Sequence, residues 1–233
     1  LSMASFHRVS APQAIFDSCK LDMTRFSRCD LQGASLAGAV GKLANFSKTN
    51  LQGAVCPKLF LHRSIIDTCT LSKADLSHVI FEFCDIRECE ARGLKLDGAT
   101  LQNTGFHRCD LTDASVRGAK GSTSVWMGSR LRRANFGMSD LPAAHFLEVD
   151  APEASFIAAN LPESRFDRAI LKSADFSGAK LSRANLRQAV VTNARFIEAS
   201  LYEATFMKAH GVDVDFGGAR MDRCVFLQSE IER

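Results

Sequence analysis

Large apolar residues recur at every fifth position along the whole chain. Counted from Leu1, the 47 positions of this series hold 18 Leu and 15 Phe, and Ile, Val, Met and Trp bring the large apolar residues to 40. The other seven positions hold Ala, Gly or Cys, and the phase of the repeat never changes. A period of five fits neither the 3.6-residue turn of an α-helix nor the two-residue alternation of a β-strand. The pattern therefore predicts a repeat architecture in which this series points inward.

A second series, of small residues, lies two positions before the first. Its 46 positions hold 24 Ala and 7 Cys, and the residue between the two series is Asn or Asp in 13 cases. Glycine favours the position two after the large residue, where it takes 9 of its 15 occurrences. We expect the backbone to turn a corner there, because glycine relaxes the backbone geometry. All five prolines directly follow a large inward residue, so that position tolerates the loss of a backbone donor.

Segments such as Ala44-Asn45-Phe46 and Ala184-Asn185-Leu186 carry a specific resemblance that covers the whole chain. They resemble the pentapeptide-repeat family, whose signature is Ala, then Asp or Asn, then Leu or Phe, then two variable residues. The resemblance implies that each pentapeptide forms one side of a square coil, so that 20 residues make one turn. We therefore expect an all-β fold, a right-handed quadrilateral β-helix of 11 to 12 coils that residues 1–233 form as a single domain.

Sorting the inward positions by a period of 20 supports the square coil. The column that begins with Phe6 holds 8 of the 15 inward Phe, so rings 20 residues apart should stack along the axis. Coils spaced like neighbouring strands, about 4.8 Å apart, would give a rod on the order of 55 Å long. Gly121 at an inward position predicts a bend or a loosened coil near residues 116–130. The repeat runs to both ends without a visible cap, and we expect the chain to be part of a longer protein.

The cysteines and histidines predict packing and surface positions rather than chemistry. Seven of the eight Cys lie in the small inward series, and Cys56 replaces a large inward residue, so we expect reduced thiols packed in the core and a cytoplasmic setting. Cys69, Cys89 and Cys109 are 20 apart and should stack on successive coils. All six His fall at outward positions, so no metal site is expected. A core filled by its own side chains offers no water-excluding cavity, so we predict neither catalysis nor a cofactor.

The charge of the chain is almost balanced, with 29 Lys and Arg against 26 Asp and Glu. Nucleic acid is therefore not an expected partner, and no stretch approaches the roughly 20 apolar residues of a membrane span. The most distinctive segment is 116–134, because no acidic residue falls between Asp113 and Asp140. One interpretation is a partner-binding patch, and the alternative is an ordinary coil with solvated arginines. The candidate patch consists of Arg117, Lys120, Trp126, Arg130, Arg132 and Arg133.

Two functions are open from the sequence. The first is a non-catalytic interaction or scaffold module of a bacterial protein, since members of the family occur as secretion-system adaptors and effector appendages. Its partner is an unidentified protein, and end-to-end stacking would be a route to oligomers. The alternative is a DNA-mimicking protein that binds DNA gyrase and confers quinolone resistance, because segment 86–99 resembles part of the Qnr proteins of this family.

The net charge of the chain disfavours the DNA-mimicking function, whereas one column of acidic residues favours it. A DNA duplex carries one negative charge per about 1.7 Å, whereas this chain has a formal charge of +3. Asp30, Glu90, Asp110 and Asp150 nevertheless share one column of period 20. One strongly acidic face would favour gyrase binding, and faces of mixed charge would favour a scaffold.

Overall fold

The computed structural model describes residues 1–232, and in all of them the chain winds as a stack of four-sided coils. Backbone pairs join each coil in parallel to the residues 20 positions further along, from Ser10 with Asp30 to Thr205 with Val225. The register does not change at the predicted weak segment, where Lys120 pairs with Thr100 and with Asp140. The right-handed quadrilateral β-helix is thus confirmed, as a solenoid of about 11 turns. Among the described residues there is no helix with the length and apolar character needed to cross a membrane.

The four faces are numbered here by their inward residues, each followed by the residues 20, 40 and more positions later. Face 1 begins at Phe6, face 2 at Ala11, face 3 at Phe16 and face 4 at Leu1, which Leu21 follows. On each face, the residue before the inward one and the two residues after it point toward solvent.

The short strands fall on three of these faces. Face 1 carries a sheet of order β1-β2-β4-β6-β8-β10, face 4 a sheet of order β3-β5-β7-β9, and face 2 the pair β11-β12. The strands are β1 (Ser5–His7), β2 (Arg25–Ser27), β3 (Val40–Lys42), β4 (Asn45–Ser47), β5 (Phe60–His62), β6 (Ile65–Asp67), β7 (Ile80–Glu82), β8 (Asp85–Arg87), β9 (Thr100–Gln102), β10 (Gly105–His107), β11 (His210–Gly211) and β12 (Glu230–Ile231).

Asn and Asp just before the inward residue satisfy a backbone donor that the stacking of coils leaves free. The N–H of Ser77 donates to Asp75 Oδ1 at 3.0 Å, and the N–H of Gly137 donates to Asn135 Oδ1 at 2.9 Å. Leaving a buried donor unsatisfied costs about 1–3 kcal/mol, so these side chains stabilise the turn. Proline has no N–H to satisfy at the same position, which explains why all five prolines are accommodated there.

Every corner of the coil has left-handed backbone geometry. The residue two after the inward one has φ between 48° and 68° at all 46 described corners, and 37 of these residues are not glycine. That geometry costs an L-residue about 1–2 kcal/mol. Each corner N–H can donate to the next coil, as Met23 does to the carbonyl of Lys42 at 2.8 Å. Such a bond contributes about 1 kcal/mol, so bonding between coils offsets the strain and glycine is not required.

The core becomes more aromatic toward the C-terminal half. Phe6 and Phe26 stack with their ring centroids 4.9 Å apart, which confirms the stacking expected from the period of 20. Rings from the opposite walls, faces 1 and 3, also meet edge to face, once near the N-terminus between Phe16 and Phe26 and repeatedly from Trp126 onward. Phe146 and Phe156, for example, lie 5.4 Å apart at 87°. Aromatic pairs in these geometries contribute about 0.5–1.5 kcal/mol beyond burial, so this half of the core is interlocked across the coil as well as along it.

Cys69 and its neighbours in the same column stack as their spacing predicts. The N–H of Cys69 donates to Cys89 Sγ at 3.4 Å, and the Cys69 thiol donates to the carbonyl of Phe46 at 3.4 Å. Hydrogen bonding to Cys89, together with burial, raises the pKa of Cys69 and of Cys109. All eight cysteines carry free thiols, and Cys69 and Cys109 are protonated packing groups.

Cys56 leaves a small void in the aliphatic half of the core. It stands on face 3 between Leu36 and Leu76, and a cavity of about 20 Å³ lies beside these three residues. Burial raises the pKa of the Cys56 thiol to about 12 and that of Cys84 to about 11. These thiols therefore stay protonated in the folded protein at pH values where they would ionise in the unfolded chain.

We expect the stability of the protein to fall as the pH rises above 9. The unfolded Cys56 thiol, with an ordinary pKa of 9.0, loses its proton while the folded thiol keeps it up to about 12. The unfolded state then binds fewer protons, so alkaline pH favours unfolding. Cys56→Val removes this titration and places one more methyl group beside the cavity. Its stability relative to the native protein should rise by about 1.4 kcal/mol between pH 8 and pH 10.

Urea unfolding of both proteins at the two pH values measures this difference directly. Lys and Tyr titrations are common to the two proteins and cancel in the comparison. A difference that stays constant from pH 8 to pH 10 would contradict the prediction, because it would mean that Cys56 titrates alike in both states.

Candidate interaction surfaces

The basic segment does not form one patch, because 20 residues encircle the solenoid. The coil geometry puts Arg117 on face 3 and Lys120 on face 4. Arg130, Arg132 and Arg133 do lie together, on one coil of face 2. Three of the six candidate residues are thus neighbours in space, and the other three point elsewhere.

Trp126 lies in the core and has no exposed surface. Its ring stacks on Phe106 at a centroid distance of 4.5 Å and meets Phe136 edge to face at 4.9 Å. Its Nε1–H donates to Ser124 Oγ at 3.1 Å, which satisfies its one polar group. Trp126 is therefore a core residue, and no partner can contact it at the surface of the folded protein.

Each of the three clustered arginines faces a carboxylate on an adjacent coil of face 2. Arg133 binds Asp113 through both Nε and Nη2, and this pairing lowers the pKa of Asp113. The positive charge of the three arginines is therefore balanced by neighbouring carboxylates. This agrees with the interpretation of the segment as an ordinary coil with solvated arginines. The pairs are Arg130–Asp110 at 4.0 Å, Arg132–Glu153 at 3.0 Å and Arg133–Asp113 at 2.6 Å.

A groove of about 760 Å³ follows the corner between faces 1 and 2 beside this cluster. Gly128 and Ser72 lie in its wall and contribute no long side chain, so the charged residues around them enclose an open recess. We name this recess the corner groove. Its charged residues are Glu88, Glu90, Arg92, Arg108, Asp110 and Arg130.

Asp110 organises the corner groove. Its Oδ2 accepts a hydrogen bond from Arg92 Nε at 2.8 Å, and its Oδ1 accepts one from the Thr112 hydroxyl at 2.6 Å. Partial burial opposes ionisation of Asp110, but the bonds from Thr112 and Arg92 outweigh it and hold its pKa below the usual range. Across the groove Arg108 Nη2 lies 3.7 Å from Glu88 Oε1. The groove therefore presents fixed charges of both signs to solvent.

No face of the described chain is strongly acidic. Face 1 carries ten Lys or Arg against five Asp or Glu, and face 4 carries eight against six. Face 2 carries six Lys or Arg against nine Asp or Glu, and face 3 four against six. The column that holds Asp30, Glu90, Asp110 and Asp150 lies on face 2, but Arg130 separates its last two members. Charge is mixed on all four faces.

Among residues 1–232, no three His, Cys, Asp or Glu side chains come together in a way that could hold a metal ion. The acidic groups that do lie close together are bridged by arginine. Arg87 Nε, for example, lies 3.6 Å from Asp67 Oδ1 and 3.4 Å from Asp85 Oδ2 on face 1. The surface chemistry of this region is ion pairing between successive coils.

Comparison with known structures returns other proteins of the same repeat type. HetL from the cyanobacterium Nostoc, a pentapeptide repeat protein involved in heterocyst differentiation regulation, is 23% identical, with 94% of this chain and 88% of that chain covered and a TM-score of 0.33. Trypsin-treated QnrB1, a plasmid-mediated fluoroquinolone resistance protein, is 17% identical over 98% of this chain and 89% of its own, with a TM-score of 0.31. A thylakoid-lumen pentapeptide repeat protein from Arabidopsis thaliana is 28% identical over 46% of this chain and 65% of its own, with a TM-score of 0.24.

Sequence comparison gives the family directly. No curated protein sequence matches the chain. The family model for pentapeptide repeats matches in 8 copies, over residues 24–55, 67–103, 153–188 and 189–228. These ranges make up more than half of the chain. The chain therefore belongs to the pentapeptide-repeat family.

Proposed function

We propose that this chain is a non-catalytic protein–protein interaction or scaffold module of a bacterial protein. The mixed charge of the corner groove carries the proposal. A mimic of duplex DNA needs an unbroken negative surface, whereas a recess with fixed carboxylates and guanidinium groups suits a protein partner with complementary charges. Eight free thiols support a reducing, cytoplasmic setting for this module.

The stiffness of the solenoid supports a scaffold role. Each coil is bonded to the next on all four sides, and the core along the axis is filled by side chains of the coils themselves. A partner that binds such a surface orders few backbone groups on this side of the interface, and such ordering is one of the costs that reduce affinity. A rigid groove therefore favours tight binding from a modest contact area.

Gyrase binding is the second candidate function. The excess of acidic residues on face 2 and the resemblance of segment 86–99 to Qnr proteins favour it. A supercoiling assay with purified DNA gyrase and a fluoroquinolone separates the two candidates. We expect no inhibition of supercoiling and no protection from the drug as the chain is titrated into the micromolar range. Protection at low micromolar protein would overturn the scaffold proposal and establish the DNA-mimic function despite the charge of +3.

Affinity capture with matched variants tests the scaffold proposal itself. Arg92→Glu with Arg108→Glu reverses two charges in the corner groove. The control, Arg183→Glu with Arg223→Glu, reverses two charges on face 4 that are also paired with a carboxylate, both with Glu203. We expect a bacterial partner retained by the native chain and the control to be at least tenfold depleted with the groove variant, as is common for charge reversal at an interface. Equal capture by all three chains would rule out the groove as the binding surface.

A further inference from the structure

Large apolar side chains form an exposed ridge at the corner between faces 4 and 1. Met3, Met23 and Leu43 stand 20 residues apart at this corner, with 73%, 47% and 56% of their surfaces exposed. Phe83 continues the line two coils later at 53%, after the exposed Arg63. Coils about 4.8 Å apart give these five positions a length of about 19 Å. We name Met3, Met23, Leu43 and Phe83 the apolar ridge.

A second apolar column lies on face 4, separated from the ridge by the polar column of Asp22, Lys42, His62 and Glu82. Val40, Phe60 and Ile80 pair in register at the first position of β3, β5 and β7. Val40 and Ile80 are exposed, and Phe60 is half-buried. Large apolar side chains that recur on neighbouring coils in this way mark an interaction site more often than isolated exposed residues do. Among the later coils of the same face, β9 presents Thr100 and Gln102 instead.

Basic residues surround the N-terminal part of the ridge almost without acidic partners. Up to residue 63, faces 4 and 1 carry seven Lys or Arg and a single acid, Asp22, whose Oδ1 accepts the backbone N–H of Lys42 at 2.9 Å. All seven are exposed, and within residues 1–232 none of them forms an ion pair. Faces 2 and 3 of the same coils carry Asp17, Asp30 and Lys58. The seven basic residues are Arg8, Lys20, Arg25, Arg28, Lys42, Lys48 and Arg63.

This excess contrasts with the rest of the molecule. The whole chain has a formal charge of +3, whereas these two faces alone carry seven basic residues and one acid over their first coils. Most arginines beyond residue 63 are paired with a carboxylate, as Arg133 is with Asp113. The N-terminal coils therefore combine an excess of unpaired cations with exposed large apolar side chains.

We propose that the apolar ridge and its basic flanks dock this chain onto an anionic membrane surface. Apolar side chains that enter the boundary between headgroups and acyl chains anchor a protein in the interface. Basic residues within a Debye length, about 8 Å at physiological ionic strength, add attraction to anionic lipids. The corner geometry allows both the apolar anchoring and the electrostatic attraction. Faces 4 and 1 slope away from the ridge, so their cations lie near the headgroups when the ridge enters the membrane interface. Arg63 can keep its charge at the headgroup level while its stem lies with the ridge.

A nucleic acid would be attracted by the same cations, but it would leave the ridge in water. An acidic protein surface without apolar groups would also attract the cations and leave the ridge in water. The anionic lipid surface is the partner that uses both features. The ridge follows the corner between faces 4 and 1, whereas the corner groove follows the corner between faces 1 and 2, so the inference does not depend on the proposed protein partner.

Vesicle flotation of the full chain tests the proposal. Vesicles of phosphatidylcholine with about 30% phosphatidylserine should carry the chain, and vesicles of phosphatidylcholine alone should not, because the attraction requires anionic headgroups. Arg25→Gln with Arg28→Gln should weaken binding about 30-fold, since each basic residue near such a surface contributes about fivefold. Met23→Ser with Leu43→Ser should weaken binding at both low and high salt, because the apolar contribution is not screened.

Matched variants keep the test decisive. Arg187→Gln with Lys208→Gln removes the same charge from face 1 of the C-terminal coils and should bind like the native chain. Circular dichroism confirms that each exposed-surface variant is folded before flotation. Binding that is absent, indifferent to phosphatidylserine, or equal in all variants would overturn the proposal. A single-stranded oligonucleotide that competes fully with the vesicles, together with a serine variant that binds like the native chain, would show a polyanion site instead.

Discussion

Phe156→Ala should lower the free energy of unfolding by about 3–5 kcal/mol, the range for removing a large aromatic side chain from a packed core. Phe156 is fully buried on face 3. Its ring stacks on Phe136 at 5.1 Å and on Phe176 at 4.6 Å, and it meets Phe146 and Phe166 edge to face at 5.4 and 5.5 Å. Alanine removes all four ring contacts at once, and neighbouring coils held by backbone bonds cannot close the cavity. The shift of the urea midpoint measures the loss.

Two companion variants separate packing from general sensitivity of this coil. Phe156→Leu keeps a large apolar group and should cost less than half as much as the alanine variant. Ile157→Ala changes the next residue, which is 45% exposed on the outside of the same face, and should stay within about 0.5 kcal/mol. A loss at Phe156→Ala no larger than at Ile157→Ala would show that the aromatic stack does not hold these coils together.

Gly121→Ala should destabilise the protein by about 3 kcal/mol or more, although the repeat pattern would favour a larger residue there. Gly121 has a φ of 142°, a backbone conformation that residues with a side chain rarely adopt. A Cβ built on it would lie 2.6 Å from the carbonyl carbon of Leu101 and 2.7 Å from its oxygen. These atoms belong to the backbone of the preceding coil and cannot rotate away. Fluorescence of Trp126, five residues later, reports the opening of this part of the solenoid as urea is added.

Gly118→Ala is the matched control in the same coil. Gly118 is also left-handed, with φ of 61°, but a Cβ there would meet no heavy atom within 4 Å. Non-glycine residues fill 37 corners of this type, so we expect a cost of only about 1 kcal/mol. Equal costs at Gly118 and Gly121 would contradict the role assigned to the close approach of the Leu101 backbone.

The periods of five and 20 in the sequence predict the core because the core consists of the large side chains that recur with these periods. Every large inward residue packs on its equivalents one coil away, so a regular series such as the Phe6 column maps directly onto a stack of rings. The bonds between backbone groups are different, because they depend on peptide geometry and not on side-chain type. The left-handed corners at residues such as Met23 could therefore not be predicted beyond the preference for glycine.

The candidate sites were harder to predict, because neighbours in this fold are 20 residues apart in the sequence. The run of basic residues from Arg117 to Arg133 looks like one patch when read along the chain, and the coil distributes it over three faces and the core. The apolar ridge is hidden in the linear sequence for the same reason, since Met3, Met23 and Leu43 are 20 residues apart. These residues align only when the outward positions are sorted by a period of 20.

The constant pairing of residues 20 apart also constrains how proteins of this shape can change during evolution. An insertion that is built into the coil, and does not loop out at a corner, would move inward residues to the outside unless its length is a multiple of five. An insertion of five residues keeps the inward series intact but turns every later surface by a quarter of a circle. Only insertions of whole coils lengthen the rod while leaving faces 1 to 4 aligned. Selection on a binding surface therefore preserves the count of residues between its parts as strictly as it preserves their identity.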